Sequence, residues 1–312
     1  MEFFRKKTNI DFMGKSTLTT VLSLVMFSLS IGSFMVRGLN LGIDFTGGVL
    51  VEVSFPQAAD LTAVRSQLQG LGFGEAQVQN IGSARDVLIR LPPREQADSG
   101  RLGQEIIAGL QKASPGVSLR RIEFVGPQVG KDLTQGGILA MVVCLVIIGI
   151  YIMIRFQWKF AIGAIVGVIH DPIITLGVFS EFGIPFDLSV IAAVLAITGY
   201  SLNDTIVIFD RMRENLRRAR GVGSVPEIMN RSINDTLSRT LMTHFTTSLV
   251  VVSLLVFGGE TLRSFSIALM IGILICTYSS IYCAGSTALY LKLTAADFAP
   301  VKKEKGEIDA LP

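Results

Sequence analysis

The sequence predicts a polytopic α-helical membrane protein of six spans, with one α+β domain inserted after the first. Three observations predict it. Half of the residues are hydrophobic and 17% are charged, and a mean hydropathy of +0.54 is too apolar for a water-soluble chain of this size. Six apolar windows recur, each close to the ~20 residues that cross the hydrocarbon layer. Between the first two lies a polar segment in which strand-like and helix-like patterns alternate.

The windows run over 17–36, 136–154, 160–180, 187–209, 240–258 and 264–290. The first follows Arg5, Lys6, Lys7 and Lys15 and so resembles a signal peptide at its start. Its apolar run is too long and no A-x-A cleavage pattern follows it, so it reads as an uncleaved anchor. Basic residues gather before span 1, at Arg155 and Lys159, across Arg211, Arg213, Arg217, Arg218, Arg220 and Arg231, and at Lys292, Lys302, Lys303 and Lys305. Every second loop is basic. That places residues 1–16, the basic loop 210–239 and the tail 291–312 in the cytoplasm, and the segment 37–135 on the other side.

Within 37–135, "VLVEVSF" (49–55) has strand composition. Asp60 can then cap a helix in which Leu61, Val64, Leu68 and Leu71 share a face. Strands follow near 76–81 and at "DVLIRL" (86–91), then an amphipathic helix carrying Leu102, Ile106, Ile107 and Leu110, then "SLRRIEFVG" (118–126). The order β-α-β-β-α-β is the ferredoxin-like plan, whose sheet has one helix-covered face and one free face. The free face suits a binding platform.

Charged groups within the spans cost about 3 kcal/mol or more unless paired, hydrated or used. Asp204 lies near the end of span 4, with Ser201, Thr205 and Ile208 on its side of the helix, Asn203 adjacent and Tyr200 one turn behind. Span 5 opens with "TLSRTLMTHFTTS" (236–248), where Thr236, Arg239 or Thr240, Thr243 and Thr247 form a second polar stripe. The two spans are antiparallel neighbours with both polar stretches at their cytoplasmic ends, so Asp204 and Arg239 are expected to meet. Such a pair fits two roles. One is an ion pair that fixes helix register, or a snorkelling arginine beside a hydrogen-bonded acid. The other is a proton relay, because a carboxylate in an apolar bundle favours its neutral form when alone and its charged form beside a cation.

"VIHDPIITLG" (168–177) sets His170 and Asp171 near the middle of span 3, beside a Pro172 expected to kink the helix. A packed histidine bonded to a neighbouring backbone or hydroxyl group is the favoured account of His170 over a functional one. Asp171 is harder to dismiss at that depth, and His244 is placed to face either acid. Gly163 and Gly167 form a small-xxx-small pattern for close helix contact. Beyond span 4 the helix extends to a C-cap at Gly221, and "SVPE" (224–227) forms a capping box that starts a helix expected to lie along the membrane surface before span 5. Cys144, Cys276 and Cys283 all sit in apolar runs, so neither a disulfide nor a metal site is expected, and no cofactor. "GKST" (14–17) lacks the first glycine of a phosphate loop, since position 9 is Asn9, and no enzyme motif remains.

"GIDFTGG" (42–48), "VGPQVG" (125–130), "HDPIITLG" (170–177), "GYSLNDTIVIFDRMREN" (199–215), "SRTLMT" (238–243) and "FGG" (257–259) occur in this order. Together they resemble the SecF subunits of the bacterial SecDF protein-export complex, in the resistance-nodulation-division superfamily. The resemblance covers nearly the whole chain. It implies the six-helix half of that superfamily with a periplasmic ferredoxin-like domain, in the bacterial inner membrane. It also implies pseudo-symmetric pairing with SecD, action on unfolded preprotein at the SecYEG translocon, YajC as a companion, and no nucleic acid. Proton-motive force would drive export. The family's proton-pathway residues fall on Asp204 and Arg239, with Ser201, Asn203, Thr205 and Thr243 as supporting polar groups and His170, Asp171 and His244 as secondary candidates. A passive scaffold for translocon partners and half of a small-molecule or lipid exporter are the competing readings.

Overall fold

The computed structural model describes residues 8–93, 99–219, 222–294 and 297. The expected cap at Gly221, the first basic cluster at Arg5, Lys6 and Lys7, and the tail lysines Lys302, Lys303 and Lys305 lie outside the described residues. The first long helix, α1 (Ser16–Arg37), buries Ser16, Thr19, Ser23 and Ser30 and exposes Leu18, Leu22, Val25 and Leu29. Small polar residues inward and apolar ones outward are the arrangement expected where the solvent is lipid. Next come β1 (Asn40–Leu41), the single turn α2 (Ile43–Thr46) and β2 (Gly48–Ser54). α3 (Leu61–Gly70), β3 (Gln77–Ile81), β4 (Ser83–Leu91), α4 (Ser99–Ala113) and β5 (Ser118–Val125) complete the domain.

The four-stranded sheet has the order β3-β4-β2-β5 and is antiparallel throughout, as a ferredoxin-like domain requires. Asp60 caps α3 by accepting a hydrogen bond from the Thr62 N–H at 2.8 Å. Alternation along the strands puts Val49, Val51, Val53, Val87 and Ile89 on one face, where Val64, Leu68, Ile106 and Leu110 of the helices cover them. The other face carries Leu50, Glu52, Leu88 and Arg90 and is turned toward the ends of the long helices. Gly48, at φ 118°, lets β2 begin against β4, since a Cβ there would sit 2.1 Å from the Leu91 carbonyl oxygen.

The remaining helices are α5 (Pro127–Arg155) and α6 (Trp158–Phe182), then, after β6 (Pro185–Phe186), α7 (Leu188–Ala219) and α8 (Val225–Phe257). The last span is built from α9 (Arg263–Tyr278), one π-helical turn at Ser279–Cys283, and α10 (Ala284–Tyr290). Six described helical stretches are long and apolar enough to cross a membrane. α6 and α7 form the centre, with 61% and 56% of their apolar windows buried against 11% for α5. α6 runs unbroken through Pro172. Gly163 lets it approach α10, because a Cβ there would lie 2.6 Å from the Ala284 carbonyl oxygen.

The surface helix expected before span 5 is not a separate element. α8 is a single helix from Val225 to Phe257, opened by Glu227 Oε2 accepting from the Ser224 N–H at 3.2 Å. No glycine or proline interrupts it after Pro226. Its polar first half also has a partner: α7 extends beside it, tied by Arg211–Asp235 at 2.7 Å and by Asn215 Nδ2 donating to Ser232 Oγ at 2.9 Å.

Two apolar clusters organise the bundle. One gathers Phe156, Phe160, Phe209, Met212 and Met229 toward the end where α7 and α8 extend. The other gathers Phe179, Phe186, Val190, Val194 and Ala268 below the sheet domain. A buried polar layer lies between them, made by His170, Asp171, Thr175, Thr198, Ser201, Asp204, Thr205, Thr240, His244 and Ser279.

Candidate functional site: two acid–histidine pairs

Helical geometry accounts for this layer. Asp171 lies 13 residues into α6, so at 1.5 Å per residue it sits about 20 Å from the helix start, near its middle. On α7, Ser201, Asp204, Thr205 and Ile208 recur at three- and four-residue spacing and are all buried. Both acids therefore point into the bundle.

Asp171 is fully enclosed, at 0% exposure. Its Oδ2 accepts from Ser201 Oγ at 2.5 Å and from Ser279 Oγ at 2.7 Å, and its Oδ1 lies 3.0 Å from His170 Nδ1. Thr175 Oγ1 donates to the Asp171 carbonyl at 2.9 Å. Three helical elements, α6, α7 and the π turn, thus converge on one carboxyl group. π turns recur at functional sites. This one moves Ser279 out of ordinary α register and onto Asp171.

Asp204 is 4% exposed and differently held. His244 Nε2 lies 2.8 Å from Asp204 Oδ2, an ion-pair distance without a directed hydrogen bond. The other ring nitrogen, Nδ1, contacts Thr277 Oγ1, and Cys276 Sγ stands 4.0 Å from Nε2. Tyr200 flanks the imidazole with ring centroids 5.1 Å apart, and its hydroxyl lies 3.3 Å from Thr247 Oγ1. The chain has two histidines. Each is paired with one of the two buried aspartates.

Arg239 does not meet Asp204. It is exposed on α8, and among the described residues the ion partner of Asp204 is His244. Helical phase explains the difference: Thr240 and His244 are four residues apart and face inward, while Arg239 is turned by about 100° from Thr240. Asn203 is exposed and outside the cluster as well. Thr243 is exposed and donates to the Thr240 carbonyl of its own helix at 2.9 Å. Ser201 and Thr205 are in the buried layer, Ser201 on Asp171 and Thr205 donating to the Ser201 carbonyl at 3.1 Å. Ser279, Cys276 and Thr277 join the site from the last span. In the sequence, hydroxyl and thiol groups within an apolar run carry the same signal as packing residues, which is how Cys276 reads there.

A second polar constellation joins the sheet domain to the bundle. β1 pairs in parallel with β6, and Arg90 Nη1 donates to Asn40 Oδ1 at 2.9 Å. Asp44 Oδ2 accepts from the Leu188 N–H at 2.9 Å, so the "GIDFTGG" segment helps cap the helix that carries Asp204. Between the free sheet face and the helix ends lies a cleft of about 470 Å³, lined by Glu52, Arg90, Glu123 and Asp187 among others. Burial raises the Asp187 carboxyl above its ordinary value, against the pull of hydrogen bonds from Ser189 and the Val190 N–H. Burial lowers Arg90, and the charge of Asp187 opposes that shift.

Comparison with known proteins agrees with this architecture. The family model described as "Protein export membrane protein SecD/SecF, C-terminal" matches residues 105–294, and the "SecD/SecF GG Motif" model matches 32–59. The protein translocase subunit SecF of Vibrio alginolyticus is 46% identical over 100% of this chain and 99% of its own length. That of Pseudomonas aeruginosa is 47% identical over 97% of this chain and 98% of its own. A crystal structure of SecDF, a translocon-associated membrane protein from Thermus thermophilus, superposes with a TM-score of 0.84 at 36% identity, over 93% of this chain and 40% of that longer one. A structure of SecDF in a super-membrane-facing form, at the same identity and coverage, gives 0.69.

Proposed function

This chain belongs to the SecF family of protein translocase subunits, multi-pass membrane proteins with a role in protein translocation, and from that premise we propose that it couples proton flow across the bacterial inner membrane to preprotein export. One observation carries the reading: the two histidines of the chain pair with the two aspartates buried in its polar layer. A bundle that needed only register-setting contacts would meet the cost of two buried acids for little return, since apolar packing serves as well. Titratable pairs at this depth are the parts of which proton paths are made.

Asp204 is the acid that changes charge. Sliding or tilting of α8 against α7 would draw His244 away and leave an acid in an apolar bundle, which favours taking up a proton. A proton crossing the membrane releases roughly 2.3 kcal/mol per 100 mV, enough to bias a conformational step. Asp44 and the β1–β6 pairing supply the mechanical link from that helix pair to the sheet domain. The sheet domain stands on the periplasmic side, with both termini in the cytoplasm as the alternation of basic loops suggests.

SecD is the proposed partner. The match to 40% of a SecDF chain supports it. Arg239 would then be a charge that this partner covers. SecYEG, YajC and the emerging preprotein complete the assembly. The test is ATP-independent export from membrane vesicles titrated with an uncoupler. Export that declines with the proton gradient supports the motor. Export indifferent to the uncoupler leaves a passive scaffold.

A further inference from the structure

On the side of the bundle where α1, α6 and α10 meet, a groove of about 340 Å³ is lined by Thr20, Ser23, His170, Cys283 and Thr287 together with apolar residues. His170 is one wall, and it is 4% exposed. Its Nδ1 faces Asp171 Oδ1 at 3.0 Å. A carboxylate only accepts, so Nδ1 carries the hydrogen and Nε2 is left as the free edge of the ring. Nε2 is buried without a hydrogen-bond partner among the described residues. Buried polar atoms are satisfied by protein or by water in the large majority of cases. Among the described residues no Asp, Glu, Lys or Arg lines the groove. The polar groups near the imidazole are Asp171 on α6, Ser23 on α1, whose hydroxyl lies 2.8 Å from the Tyr278 hydroxyl, Tyr278 itself with ring centroids 6.3 Å away, and Cys283.

We propose that this groove is a water-filled port through which protons reach His170, which passes them to Asp171. The inference rests on the proton coupling proposed above and gives it an entry route. Nε2 takes a proton from a hydronium in the groove. The Nδ1 proton moves to Asp171 Oδ1. His170 is left neutral with the hydrogen on Nε2, and the ring resets by turning about its Cβ–Cγ bond so that Nδ1 meets groove water and takes a proton there while Nε2 gives one up to it. Thr20 and Ser23 of α1 and Thr287 of α10 place further hydroxyl groups along the groove wall.

Cys283 provides the probe. It is half-buried in the groove wall, while Cys144 sits on α5 among exposed apolar residues such as Val143 and Ile147. A charged methanethiosulfonate is applied to membranes carrying the full chain, and the modified peptides are mapped. The charged reagent reaches a thiol only through water, so Cys283 should be modified faster than Cys144. Equal rates, or an inert Cys283, overturn the port.

The second measurement is proton uptake by the chain reconstituted with its membrane partner. His170→Asn keeps a donor at the Nδ1 position toward Asp171 but cannot shuttle a proton, so uptake should fall about tenfold or more while Cys283 stays reactive. Uptake at the unaltered rate in His170→Asn overturns the transfer step. If the unaltered protein takes up no protons, the proposed coupling fails and the transfer step with it; labelling of Cys283 then reports on the wet groove independently.

Discussion

Asp171 and Asp204 occupy one polar layer, and the bundle holds them in opposite ways. Asp171 is gripped by two serine hydroxyls and an imidazole from α6, α7 and the π turn. Asp204 has a single imidazole at contact distance, contributed by the less buried helix α8. An acid fixed from three directions is suited to conduct a proton, because its geometry is prepared in advance. An acid held by one partner on a movable neighbour is suited to change charge. Under the proposed coupling, conduction falls to the rigid centre and work to the loose one.

Removing the rigid acid should cost most. Asp171→Ala strands two serine hydroxyls and a histidine and is expected to destabilise the chain by about 3–5 kcal/mol in thermal unfolding in detergent. Asp204→Ala strands one histidine and should cost about 1–3 kcal/mol. Equal losses would erase the contrast.

Hydrogen-bond deletions sharpen it. Ser201→Ala and Ser279→Ala each remove a bond to the same carboxylate and should cost about 1.5–3 kcal/mol. As neighbours on one group their losses should fail to add when combined, which a double-mutant cycle measures. Asn203→Ala, facing outward, should stay within about 0.5 kcal/mol.

The smallest effect lies outside the bundle, where two acids of the sheet domain and its junction should respond to pH with opposite sign. Ser54 donates to Asp86 at 2.6 Å, and this bond leads the lowering of its carboxyl below 3.8. Its stabilisation is complete above 3.8 and disappears as pH falls through the lowered folded value. Asp187 is raised by burial, so its contribution is complete below 3.8 and disappears as pH rises through the raised folded value. Melting curves between about pH 2 and pH 6 should therefore show a weaker acid-side decline in Asp86→Asn and a steeper one in Asp187→Asn. Identical profiles would contradict both assignments.

Much of this layout is legible in the sequence, for identifiable reasons. The span positions follow from runs of apolar residues, and the sheet domain follows from alternation in "VLVEVSF" and the cap at Asp60. The inward face of α7 follows from the spacing of Ser201, Asp204, Thr205 and Ile208. Periodicity fixes each helix about its own axis, however, and leaves the rotation of its neighbour open. Arg239 was the expected partner of Asp204, and a rotation of roughly 140° over five residues substitutes His244. Ser279 was hidden because the π turn breaks the period by which it would have been found. The continuous α8 was hidden because a capping box marks where a helix starts and says nothing of where it bends.

The account turns on Asp204 as the acid that changes charge. Asp204→Asn keeps the shape of the side chain and a group that His244 can bond, so the variant should insert, assemble and melt within about 1 kcal/mol of the unaltered chain. The decisive measurement is its ATP-independent export from energised vesicles with and without an uncoupler. The account predicts that the uncoupler-sensitive share of export is gone in this variant. Export that remains fully uncoupler-sensitive without the Asp204 carboxyl would contradict it.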